Sequence, residues 1–246
     1  ILKQVVEAAG GSDASIMVLT TATEKPLEVG NEYRMAFQRL GVKDIEVLDI
    51  NSRNEANNDE YVQKISRCTG IFLTGGDQLR ITSIIGGTKA HRALLKAYSD
   101  GVVIAGTSAG ASVMSGTMIV DGDSNEPARK CTLKMAPGLG LLEDAIIDQH
   151  FDQRGRIGRL LCGVAENPYI LGIGIDEDTA IRVYPDAHLE VLGSNAVTII
   201  DGRSIKSSNV SELKPDEILA ITDVTLHVLP FGYGYDLKNR KVLTRE

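Results

Sequence analysis

The stretch Gly106-Thr107-Ser108-Ala109-Gly110 has the pattern G-x-S-x-G. In that pattern a sharp strand-to-helix turn lifts a serine hydroxyl clear of a sheet. The context fits: an apolar, β-branched run at residues 102–105 precedes it, and a small-residue helical start at residues 109–114 follows. Small neighbours let the strained turn form and let substrate approach. The N–H of Ala109, at a helix N-terminus, can face a developing oxyanion. The chemistry this predicts is nucleophilic catalysis by Ser108. The competing reading is a Gly-rich strand–helix turn that binds a phosphate, or nothing, in a non-catalytic binding module.

A serine nucleophile needs a base. The candidates are His91, His150, His188 and His227. His91 falls on a polar helix face and is expected to be solvated. His188 falls in a hairpin turn and His227 in a strand-like run. His150 ends the apolar run Ala145-Ile146-Ile147-Asp148-Gln149-His150. Catalytic groups gather at the carboxyl ends of parallel strands, so His150 is the best-placed base. An orienting carboxylate should follow. Asp176, Glu177 and Asp178 all end the next apolar run, and spacing does not choose among them. The order serine, histidine, acid differs from the serine, acid, histidine order of α/β-hydrolases. Pairing His227 with Asp186 or Asp201 would restore that order, but those residues are worse placed.

The elements that must carry these groups follow from periodicity. Short runs apolar on both faces (15–20, 45–49, 71–74, 102–105, 145–148 and 170–175) alternate with helical patterns at 31–40, 61–68 and 89–98. This is the signature of a parallel sheet buried between helix layers. After residue 180 the pattern becomes a hairpin around Pro185-Asp186-Ala187-His188, then a strand ending at the turn dipeptide Asp201-Gly202. The expected fold is a single α/β domain over residues 1–246: a mainly parallel sheet with an antiparallel C-terminal extension on one edge of the same sheet.

Composition narrows the function. The 246 residues carry 26 Lys plus Arg against 33 Asp plus Glu, a formal net charge of −7. Nucleic-acid phosphates and anionic membrane surfaces call for clustered positive charge, so neither is an expected partner. No run of ~18 apolar residues suggests a membrane span. Cys68, Cys131 and Cys162 are odd in number and widely spaced, which predicts buried free thiols in a reducing cytosol rather than disulfides. No metal-ligand cluster is visible, and the chemistry calls for no metal or cofactor. The sequence begins at Ile1 rather than Met, which leaves the native leader and secretion open.

Four motifs, in order along nearly the whole chain, resemble those of the cyanophycinase family. They are Thr74-Gly75-Gly76-Asp77-Gln78, Gly106-Thr107-Ser108-Ala109-Gly110-Ala111, Asp148-Gln149-His150-Phe151-Asp152-Gln153-Arg154-Gly155-Arg156 and Gly174-Ile175-Asp176-Glu177-Asp178-Thr179-Ala180. That family belongs with the dipeptidase E group of serine peptidases, whose fold is similar to class I glutamine amidotransferases. The resemblance implies Ser108 as nucleophile, His150 as base and Glu177 as the orienting acid. It implies an oxyanion hole from the N–H groups of Gly76 and Ala109, and it favours a homodimer. It also implies a substrate, cyanophycin: a poly-aspartate backbone with arginine on each side chain, cut to β-aspartyl-arginine. An aspartyl dipeptidase of the dipeptidase E type is the alternative. Arg154, Arg156 and Arg159 would offer planar forks to the polymer's carboxylates. Gln78, Asp148, Gln149 and Asp152 would meet its guanidinium and amide groups. The loop at 121–130, rich in Gly, Asp, Ser and Pro, would be a flap. The family opens with a further strand and Gly-rich turn before the helix that starts here near Ile1.

Overall fold

The computed structural model describes residues 1–122, 124–130 and 133–244. Its contacts form two compact units. One comprises Leu2–Gly116 with Pro137–Leu142, and the other Thr117–Ala136 with Glu143–Glu246 and the terminal Ile1. No helix among the described residues is long and apolar enough to cross a membrane.

The first unit runs α1 (Leu2–Ala8), β1 (Ser15–Leu19), α2 (Pro26–Arg39), β2 (Asp44–Leu48), α3 (Asp59–Ile65), β3 (Gly70–Leu73), α4 (Gln78–Ile85), α5 (Lys89–Ser99), β4 (Val103–Gly106) and α6 (Ala109–Ser112). Its four strands form a parallel sheet in the order β2-β1-β3-β4. Helices α1, α2 and α6 pack on it. The non-sequential order places β1 and β3 centrally, and both are buried along nearly their whole length. This is why they read as unbroken apolar runs. Strand β4, last in that order, is half-buried throughout rather than buried as its composition suggests. Under the sheet, Phe72 meets Phe37 edge-on at 5.5 Å and Tyr33 at 4.6 Å, in a cluster with Val6, Ile16, Val18 and Val42. Helix α2 begins at Pro26, five residues before its expected start. Proline is suited to the first helical position because its missing N–H would have no partner there.

The second unit contains β5 (Thr117–Gly122), β6 (Leu133–Pro137), β7 (Ala145–Gln149), α7 (Ile157–Glu166), β8 (Leu171–Ile175), β9 (Thr179–Val183), β10 (His188–Gly193), β11 (Ala196–Asp201), β12 (Ser207–Ser208), β13 (Ile221–Thr222), β14 (Thr225–Pro230), β15 (Gly234–Asp236) and β16 (Lys241–Leu243). Strands β7 and β8 are parallel, as their apolar runs predict. They belong, however, to a separate sheet of order β14-β11-β8-β7, whose β11 and β14 are antiparallel. The hairpin β9–β10 pairs with β15 and β16 in a third sheet. Among the described residues the antiparallel strands pair within these sheets rather than with β1–β4. Apolar periodicity encodes burial but not the pairing partner, so it could not separate these sheets. Helix α7 turns Leu160, Cys162, Val164 and Ala165 into a cluster with Ile146 and Ile200.

Cys68 and Cys162 are buried, unbridged thiols, and burial pushes both up to about 11. Cys131 lies outside the described residues.

Candidate active site

In the first unit, Ser108 follows β4 with φ 50° and ψ −116°. A non-glycine residue with positive φ is uncommon, and such strain concentrates where a side chain must be presented. Its neighbours explain how the turn fits. A Cβ on Gly110 would lie 2.2 Å from the Leu73 carbonyl oxygen, and one on Gly106 would lie 2.5 Å from the Gly110 oxygen. No larger residue fits at either position without moving backbone. The Ser108 carbonyl accepts the N–H groups of Ala111 and Ser112, both at 3.0 Å, which anchors the elbow to α6. Behind the elbow, Tyr33 hydrogen-bonds the Thr107 side chain. Burial raises the Tyr33 hydroxyl above its ordinary value, and that bond partly offsets it.

The turn after β3 comes to the same place. A Cβ on Gly75 would touch the Ser108 Cβ at 3.4 Å. Gly76 has φ 141°, and a Cβ there would sit 2.1 Å from the Ala22 oxygen. Ala109 is the first residue of α6, so its N–H has no intrahelical acceptor. Asp77 caps α4 by accepting the Leu79 N–H at 2.8 Å and the Arg80 N–H at 3.3 Å. Gln78 is the first residue of that helix and half-buried. Ser108, Gly76, Ala109 and Gln78 thus all lie in the first unit.

The remaining candidates lie in the second unit. His150 directly follows β7 and has φ 51°. Its Nδ1 is 2.9 Å from Glu177 Oε1. With the proton on Nδ1, donated to the carboxylate, Nε2 is left as the basic nitrogen. Of the three competing carboxylates, Glu177 lies within hydrogen-bond distance of the imidazole. Asp176 accepts the Asp152 N–H at 3.0 Å and the Ala196 N–H at 3.2 Å. Asp178 accepts the Ser194 hydroxyl at 2.5 Å.

The three arginines divide. Arg154 is exposed, and its N–H caps back to the His150 carbonyl at 3.1 Å. Arg159 is buried: Nε donates to Asp148 Oδ2 at 2.7 Å, Nη2 donates to Oδ1, and Nη1 reaches the Gly122 carbonyl at 3.2 Å. Arg156 Nη1 donates to the Gln149 carbonyl and lies 3.4 Å from Asp148 Oδ1. Burial lowers Arg156 to about 10, with Asp148 opposing and Arg159 and Arg154 adding to the shift. Asp148, 1% exposed, thus neutralises two guanidinium groups from within the protein. Two buried donors here, Gln149 Nε2 and Arg156 Nε, have no acceptor among the described residues. Asp152 is exposed, and so are most of residues 124–127 of the expected flap. Asn125 donates to the Gly155 carbonyl at 3.1 Å, tying that segment to the arginine turn. Residue 123 lies outside the described residues.

The other histidines have partners of their own. His91 is half-buried rather than fully solvated as its helix position suggests. Its Nδ1 accepts the Gly87 N–H at 3.0 Å and its Nε2 meets the Leu139 carbonyl at 2.8 Å. A 48-residue separation hides that partner from local periodicity. His188 pairs with Asp186 and stacks on Tyr184 at 4.2 Å. His227 lies on β14 beside the Tyr235 ring, 5.7 Å away. Residues missed by sequence reasoning are Gln153 and Asn195, whose side chains bond the Glu177 backbone. They are 24 and 18 residues from it, and no local pattern marks such contacts.

Among the described residues no cluster of His, Cys, Asp and Glu could hold a metal ion. Comparison with known proteins matches the model of peptidase family S51 to residues 1–215. A protein named cyanophycinase from Geminocystis herdmanii is 38% identical over 242 residues, covering 98% of this chain and 89% of that one. One of the same name from a Nostoc species is 38% identical over 244 residues, covering 99% and 82%. The crystal structure of a peptidase from an acI-B1 actinobacterium superposes with a TM-score of 0.69 over 96% of this chain and 89% of that one. At 20% identity it speaks to the fold alone.

Proposed function

This chain belongs to peptidase family S51, and from that premise we propose that it is a cyanophycinase: a serine exopeptidase that degrades cyanophycin to β-aspartyl-arginine. The observation that carries this reading is the 38% identity to proteins named cyanophycinase over nearly the whole chain. In it, the Ser108 hydroxyl attacks a backbone carbonyl between aspartyl units. The Ser108 proton goes to His150 Nε2 and on to the leaving amine, leaving an acyl-serine ester. Glu177, on Nδ1, holds the tautomer and stabilises the transient imidazolium. The N–H groups of Gly76 and Ala109 bind the oxyanion. Water, giving its proton to His150, then cleaves the ester.

The recognition groups follow from what the fold leaves available. Arg154 is the exposed cation beside the base and suits a substrate carboxylate. Gln149 Nε2 and Arg156 Nε are buried donors awaiting an acceptor, which polymer carboxylate or amide oxygens would supply. Arg159 and the rest of Arg156 act with Asp148 to hold the turn, while Gln78 and Asp152 offer partners for guanidinium. The same reading includes a class I glutamine amidotransferase-like fold, a homodimer, no nucleic-acid or membrane partner and no cofactor. It includes cytoplasmic action, supported by the buried thiols Cys68 and Cys162.

A serine-directed probe tests the nucleophile. A fluorophosphonate is expected to modify the parent protein on the peptide containing Ser108, and cyanophycin should slow the labelling. Labelling at another serine, or none at all, would contradict the assignment.

A further inference from the structure

The side chain of Glu177 is set by how its backbone is held, and two exposed amides do the holding. Gln153 Oε1 accepts the Glu177 N–H at 2.9 Å. Asn195 Nδ2 donates to the Glu177 carbonyl at 2.8 Å, which also accepts the Thr179 hydroxyl at 3.1 Å. The Asn195 N–H in turn donates to Thr179 Oγ1 at 3.1 Å. Gln153 and His150 come from one tight turn, fixed by Arg154 N–H to His150 O at 3.1 Å and Arg156 N–H to Phe151 O at 3.0 Å. That turn therefore grips Glu177 twice: His150 Nδ1 holds its carboxylate and Gln153 holds its backbone N–H. Asn195, from the turn between β10 and β11, holds the other side of the same peptide pair.

We propose that Gln153 is a positioning residue for the reaction, assisted by Asn195, and that it acts through Glu177 by fixing that residue against His150. This rests on the reading of Glu177 as the orienting acid. Both amides bond the Glu177 backbone and act through that residue, so neither is proposed as catalytic in itself. Both side chains are exposed, so their bonds contribute orientation more than stability. Two attachment points from one turn define both the distance and the angle of the Glu177–His150 pair. A single attachment leaves the carboxylate free to swing.

The test is steady-state kinetics on cyanophycin, with melting temperatures as the folding control. Gln153→Met keeps side-chain length but removes the acceptor. It is expected to lower kcat about tenfold with KM nearly unchanged, since a misplacement of about 1 Å can cost up to ~10²-fold. Gln153→Glu keeps an acceptor oxygen and is expected to recover most of that loss. In a Glu177→Ala background, adding Gln153→Met should lower kcat no further, because residues acting as a unit are non-additive. Parent-like kcat in Gln153→Met, a rise in KM alone, or a full second loss in the Glu177→Ala background would overturn the positioning role. Parent-like kcat in Glu177→Ala itself would overturn the acid assignment and the positioning role with it.

Discussion

Ser108→Ala is expected to lower kcat on cyanophycin by at least ~10³-fold, because the covalent route is lost and only oxyanion and binding contributions remain. The fold should survive. Alanine keeps the Cβ, so the backbone at φ 50° is no more strained than with serine. The Ser108 carbonyl, which accepts the Ala111 and Ser112 amides and anchors the elbow, is unchanged in the variant. The change therefore separates chemistry from structure: melting temperature and circular dichroism should match the parent while turnover collapses. A variant keeping more than about a tenth of parental kcat would require another nucleophile.

Asp148→Asn is expected to do the reverse, striking stability first. Asp148 is 1% exposed and faces Arg159 through two bonds and Arg156 through one. Removing its charge strands two largely buried guanidinium groups. Breaking a buried ion pair from one side costs about 3–5 kcal/mol, since the remaining charge is left uncompensated. The comparison is Asp121→Asn, where Asp121 is paired with Lys134 at 3.2 Å with both side chains mostly exposed. That exposed pair is expected to contribute under about 1 kcal/mol. Urea unfolding of both variants checks the contrast. Equal and small losses would show that the Asp148 cluster does not hold the arginine turn.

The same cluster shows where sequence reasoning stops. The residue types and order around Ser108, His150 and the following carboxylates were legible because elbow chemistry demands small residues at fixed local spacing. Gly106 is required by a contact within the strand–turn–helix itself, whereas Gly110 is required by the Leu73 carbonyl of the neighbouring strand. Glu177 was legible only by family likeness, since its selection over Asp176 and Asp178 depends on a side-chain bond across 27 residues. The arginines read as three equivalent exposed forks. Burial, set by the packing of α7, turns Arg159 inward and leaves Arg154 outside. Element boundaries followed local signals, such as the start of β7 and β8, while the separation into several sheets depends on pairings far apart in sequence. Gln153 and Asn195 left no signal at all, because an exposed amide in a turn is ordinary until its partner is known.

In the proposed function this peptidase cuts the cyanophycin backbone. The most direct test is a mass spectrum of the soluble products after incubating purified protein with cyanophycin. β-Aspartyl-arginine is expected as the sole product, absent when the Ser108→Ala variant is used. Intact cyanophycin, with hydrolysis of ordinary aspartyl dipeptides by the same preparation, would contradict it and identify an aspartyl dipeptidase instead.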